Sequence, residues 1–366
     1  MGLVALVVLL LAACSSGSNR PKPTELGPNA TRLSVKSLWT QRLGAVDFPL
    51  QIHTLGETVT LATSDGTVLA LDARTGAERW RANLATPLTA GVGSDGKQAA
   101  VVTRGNELVS LEAGREIWRR KLVAQVYTAP FVAGGRVFVL GADRSVSAFD
   151  GKSGAPLWTQ QRPGEPLVLR QAGVMLAVGD TLVVGLSGRL VGMNPLNGTS
   201  RWEAPIASPR GINEVERLVD LVGGVSREGD VVCARSYQTA VGCVDARRGN
   251  LLWSKPADGA QGVQGNARTV YGTEADGKVQ AWLRSDGQRS WSVETLKYRN
   301  LTAPLVYGRA VVVGDGAGFV HFLSPDDGSL LTRISTDGQA PAALALAAGT
   351  LVVATRNGTV SGFAAE

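Results

Sequence analysis

Histidine occurs only twice in 366 residues and cysteine three times, and the two histidines, His53 and His321, lie far apart in the chain. A metal centre needs several such side chains to converge, so each histidine is expected in a strand or loop with a local hydrogen bond. No nucleophile with a base beside it can be recognised, which removes the usual signature of covalent catalysis. Long apolar runs are equally scarce. Beyond the amino-terminal one, no stretch approaches the roughly 20 residues of a spanning helix. Lys and Arg exceed Asp and Glu by only 37 to 31, a net charge of +6. No basic run is interleaved with aromatics, so nucleic acid is not an expected partner. After residue 31 there is no helical periodicity.

What is present begins at the amino terminus. The uncharged run Gly2–Ala13 has the length of a signal-peptide core and is too short to cross a bilayer. It ends in Leu11-Ala12-Ala13-Cys14, which resembles a bacterial lipobox. The expectation is a signal peptide over 1–13, cleavage before Cys14, and lipid on its thiol. Only Met1 and Gly2 stand where a Lys or Arg is usual, so the natural start is expected upstream. Ser15 and Ser16 follow the cysteine where an inner-membrane retention signal usually has Asp, which resembles lipoproteins of the outer membrane. Residues 14–31 are rich in Pro, Ser, Gly and Asn and read as a flexible tether.

The remainder, 32–366, is organised by a repeat. "SDGTVLALDARTGAERW" (64–80) returns as "ADRSVSAFDGKSGAPLW" (142–158), "LSGRLVGMNPLNGTSRW" (186–202), "QTAVGCVDARRGNLLW" (238–253) and "ADGKVQAWLRSDGQRSW" (275–291). A worn copy ends at Trp118, and Thr332 takes the Trp place in another. A period of roughly 40 residues means a solenoid or a propeller. Val68 to Asp72 alternate as a buried strand does, and Arg74-Thr75-Gly76 supply a turn. Two further short strands precede each copy, giving four antiparallel strands per unit, the pattern of a propeller blade.

Third strands near residues 69, 109, 147, 191, 242, 280, 321 and 361 number eight. The last unit lacks its fourth strand, and the orphan "LWTQRL" (38–43) can supply it, closing the ring and removing both free edges. The expected fold is therefore all-β, an eight-bladed propeller. The recurrent Trp is expected between neighbouring blades, its N–H on a backbone carbonyl.

The repeat pattern resembles that of the pyrroloquinoline-quinone dehydrogenase propellers. With the lipobox and eight repeats, the chain resembles the BamB family, lipoprotein subunits of the β-barrel assembly (BAM) machinery of the outer membrane. That resemblance implies a non-enzymatic scaffold without cofactors, held by lipid at the inner leaflet of the outer membrane and facing the periplasm. Its implied partners are the POTRA domains of BamA, and it assists assembly and insertion of barrel proteins. Unfolded barrel proteins are possible clients through strand addition at a blade edge. Two segments carry the family's docking motifs. "EPLVLRQAG" (165–173) supplies Leu167, Leu169 and Arg170, and "GINEVERLVDL" (211–221) supplies Glu214, Glu216, Arg217, Leu218 and Asp220. Val222 stands where the family often has a second acid.

Topology favours a joint site. Both segments join the outer strand of one blade to the inner strand of the next, and all such connections leave a propeller on one face. Arg299 lies on a similar connection and could extend the patch. Leu167 and Leu169 could instead be core residues, and Asp220 a turn cap or a partner of Arg217. Cys233 and Cys243 flank a hairpin centred on Gln238, which sets them opposite each other; a structural disulfide is expected, with two buried thiols as the alternative. Two other functions share the fold. A quinone-dependent dehydrogenase would carry a vicinal Cys-Cys pair, and none occurs. A periplasmic sugar or peptide binder would place its pocket in the central funnel.

Overall fold

The alternating apolar residues of every repeat become strands buried on both faces. In a computed structural model that describes residues 21–162 and 167–365, Thr67–Asp72 is buried along almost its whole length. The turn that follows is built by its own sequence. The Asp72 carboxylate accepts the N–H groups of Arg74 and Thr75, both at 3.0 Å, and Gly76 takes φ +70° while its N–H donates to the Asp72 carbonyl. Asp150, Ser153 and Gly154 repeat the arrangement two blades on.

The described strands form eight four-stranded antiparallel sheets. Blades 1 to 7 span 53–83, 93–121, 131–161, 175–205, 221–256, 264–293 and 305–335. Blade 8 combines Pro341–Ala347, Thr350–Thr355 and Thr359–Ala365 with the amino-terminal strand Val35–Arg42. That strand pairs Trp39 with Gly362 and Arg42 with Thr359, so the expected closure is present. First strands of most successive blades touch around the axis. Apolar clusters fill the seams between blades, such as Cys233, Val241 and Trp253 of blade 5 against Val270 and Trp282 of blade 6. The same seam holds a buried ion pair between Arg235 and Glu274 at 2.7 Å.

Five of the repeat tryptophans act as expected. Trp39, Trp118, Trp158, Trp253 and Trp291 each donate their indole N–H to a backbone carbonyl of the following blade. Each of these rings lies on the turn glycine of that blade: a Cβ at Gly76 would stand 2.6 Å from the Trp39 ring, and one at Gly154 equally close to Trp118. One glycine thus serves both a left-handed turn and the seat of its neighbour's indole. Trp202 sits on Gly249 in the same way, but its buried N–H has no acceptor among the described residues.

Cys233 and Cys243 are directly opposed and joined by a disulfide, with Gln238 at the hairpin tip in the left-handed region. Arg284 donates to the Cys233 Sγ at 3.2 Å.

The segment expected as a free tether departs from that reading between residues 24 and 32. Thr24 N–H donates to the Lys297 carbonyl, Asn29 and Gly27 exchange hydrogen bonds with Arg333, and Arg32 N–H donates to the Leu331 carbonyl. Leu26 packs on the seam between blades 6 and 7. Composition pointed to a flexible linker, but one leucine with an apolar seat and two arginines that capture carbonyls suffice to strap the segment along the outer strand of blade 7. Cys14 and the signal peptide lie outside the described residues.

Candidate functional site

Three outer-to-inner connections emerge side by side where blades 2 to 5 meet, described at 122–130, 167–174 and 206–220. They are knitted together by side chains. The Asp220 carboxylate accepts the Leu169 N–H at 3.0 Å through Oδ2 and faces the Arg144 guanidinium at 3.6 Å through Oδ1. Arg144 also donates to the Leu167 carbonyl at 3.1 Å. Asp220 is fixed in turn, because its carbonyl accepts the Tyr237 N–H of the blade 5 turn. A carboxylate and a guanidinium, both largely shielded from water, therefore clamp the backbone of 167–169 from two sides.

On this clamped segment Arg170 points outward and is exposed, its guanidinium 5.7 Å from the centre of the Tyr127 ring. Stacking on an aromatic face orients the cation and leaves its donor edge available. Leu167 and Leu169 are half-buried, which places them between the core and interface readings. A small cleft of about 60 Å³ opens beneath, with Tyr127, Arg144, Leu169, Gln171 and Asp220 in its lining. At the inner mouth of the ring, Gln51 from the connection into blade 1 reaches Ala129 N–H of the connection into blade 3 at 3.4 Å and lies against Gly223 of blade 5.

Sequence reasoning missed Arg144 and Tyr127. Arg144 carried a signal: it stands where blades 1 and 6 have Gly66 and Gly277, and like them it has positive φ, here 63°. A side chain in the left-handed region costs about 1 kcal/mol or more, so an arginine in a glycine position marks a turn with a task. Tyr127 has no such mark.

The acidic segment resolves into separate roles. Glu216 holds its own turn, accepting the Ile212 N–H at 2.8 Å while its N–H donates to Asn213 Oδ1. The Ile212 bond keeps its carboxyl below the ordinary range. Glu214 and Arg217 are exposed, and Leu218 is half-buried. Val222 is buried, 2% exposed, a position suited to an apolar side chain rather than to the second acid of the family pattern.

Arg299 is placed elsewhere than expected. Its guanidinium pairs with Asp315 at 2.7 Å and donates to the Thr24 carbonyl at 2.9 Å, and the side chain is only 9% exposed. It fastens the strap rather than extending the Arg170 surface. Asp315 also bonds the buried His321 Nε2 at 2.9 Å, so this histidine has the local partner expected of it. Burial pushes the Asp315 carboxyl up, but the bonds from His321, Phe319 N–H and Arg299 outweigh it and hold the group at about 2, against an ordinary 3.8. A depressed acid contributes stability that is complete above its unfolded value and is lost as pH falls through the folded one. Urea midpoints measured between pH 5 and pH 2 should therefore fall, with about 2 kcal/mol traceable to this group. In Asp315→Asn that component of the slope should vanish, and an unchanged slope would refute the assignment.

The architecture alone is shared with enzymes. A quinohemoprotein alcohol dehydrogenase from Comamonas testosteroni superposes with a TM-score of 0.67 over 90% of this chain and 76% of its own, at 15% identity, which speaks for the fold only. The family model described as outer membrane protein assembly factor BamB matches residues 64–293. The chain belongs to the BamB family. Relatives so named are 38% identical in Burkholderia pseudomallei, over 98% of this chain and 96% of that one, and 37% identical in Bordetella pertussis, over 93% and 90%. The crystal structure of BamB from Moraxella catarrhalis matches with a TM-score of 0.82 and 26% identity, covering 90% of this chain and all of that one. BamB-family proteins are assembly factors, not enzymes.

Proposed function

We propose that this chain is a lipid-anchored scaffold of the BAM complex, held at the outer membrane through Cys14, whose connection face docks a POTRA domain of BamA. Family membership supports the assembly role. The docking assignment rests on one observation: Arg170 is exposed on the Tyr127 ring while Asp220 and Arg144 fix the backbone that presents it. A preorganised arginine beside half-buried leucines is what an interface hot spot requires. Asp220 acts in this reading as a positioning residue.

Tagged protein recovered from detergent-solubilised outer membranes should bring BamA with it, and Arg170→Ala should reduce that recovery at least tenfold. Truncating a central interface arginine commonly costs 2 kcal/mol or more. Recovery of no barrel-assembly subunit with the unaltered protein would refute the reading. Metabolic labelling with palmitate, lost in Cys14→Ala, tests the anchor separately.

A further inference from the structure

Among the described residues the three most exposed large apolar side chains are Val123 at 102%, Ile212 at 99% and Val215 at 71%. They are not scattered. Val123 lies on the connection into blade 3, and Ile212 and Val215 on the connection into blade 5, flanking the connection that carries Arg170. The three connections form one body. Ala142 N–H donates to the Gln125 carbonyl at 2.7 Å, Gly173 N–H donates to Thr128 Oγ1 at 2.9 Å, Tyr127 lies under Arg170, and Asp220 holds Leu169.

We infer that Val123, Ile212 and Val215 are apolar anchors on either side of Arg170, and that they contact the same folded domain of BamA; this rests on the docking function proposed above. Side chains this exposed contribute little to the stability of the free propeller, yet the turn bearing Ile212 is built with care. Gly211 takes φ +116°, and the Glu216 carboxylate and Asn213 side chain lock the next residues. Glu216, one of the acids that the sequence offered as a contact, is spent on shaping the turn, which presents the apolar pair beside the exposed Glu214. Apolar contact is therefore a main part of what the turn offers.

The occupant follows from the geometry. Strand addition requires a row of unpaired backbone groups on one edge. Here the contact elements are side-chain knobs on three separate turns, and only a folded surface broad enough to meet all three at once can use them. It must offer apolar area on both flanks and an acceptor for Arg170 between them.

The test compares BamA recovery and affinity for the unaltered protein, Arg170→Ala, and a Val123→Ser, Ile212→Ser, Val215→Ser triple variant. Because the three side chains are solvated, the triple variant should melt at the unaltered temperature and still bind BamA at least tenfold more weakly. A photo-crosslinking residue placed at 123 or 212 in the otherwise unaltered protein should capture BamA. If Arg170→Ala weakens binding but the triple variant binds normally and neither crosslink forms, the anchors are overturned while the docking reading stands. If the unaltered protein recovers no BamA, both fall.

Discussion

Trp39→Ala is expected to destabilise the closed ring by about 3–5 kcal/mol, the usual cost of truncating a packed tryptophan. Trp39 belongs to the strand that joins the two ends of the chain. Its ring covers Gly362 of the same blade and Gly76 of the next, and its N–H reaches the Ala73 carbonyl at 2.8 Å. Removing it loosens the seam between blades 8 and 1 and weakens the pairing that covers the Thr359–Ala365 edge, which would then be free to pair with another chain. Thermal melts and urea titrations should show a loss of several degrees and an earlier midpoint. Gly76→Ala should move in the same direction from the other side of the contact, through both a strained φ of +70° and a collision with the indole. A melting temperature for Trp39→Ala within a degree of the unaltered protein would mean that the closing strand contributes little.

The second large effect is expected on binding rather than on folding. Asp220→Ala removes the acceptor of the Leu169 N–H and the carboxylate facing Arg144. BamA recovery should fall at least tenfold, as for Arg170→Ala, while the melting temperature changes by only a few degrees. Leaving shielded donors unmatched costs roughly 1–3 kcal/mol, far less than the ring as a whole can bear. Amide exchange separates the two ways in which Asp220 could matter. If it positions the segment, exchange across 167–171 should accelerate in the variant without any partner present. Lost binding with unaltered exchange would instead show that the carboxylate touches BamA itself.

The repeat made most of the architecture readable. Every third strand expected from the repeat lies where the repeat put it, and the closing strand pairs as the missing fourth strand required. Both depend on local patterns that recur, and recurrence makes a weak signal strong. The disulfide register was legible for a related reason, since a hairpin's centre fixes which residues face each other. The site was less readable because its geometry is set by contacts between separate blades. Nothing local in the sequence pairs Arg144 with Asp220 or lays Arg170 over Tyr127. Arg299 misled for the converse reason. Its place on a connection was right, but Asp315 and the Thr24 carbonyl, distant in sequence, draw the side chain inward. Composition also understated residues 24–32, where a single leucine outweighs the prolines around it.

The strap fixes more than a few residues. It leaves the ring at Thr24, beside Lys297, on the connection into blade 7, and so on the same side of the disc as Arg170. Fully extended, the chain back to Cys14 reaches about 35 Å at most. In the proposed reading, with Cys14 acylated, leash and docking ground share one side, and the disc would hang with that side turned toward the bilayer. On the same reading a docked domain would fill the gap between them, and the opposite side, with the turns between first and second strands, would look out into the periplasmic space.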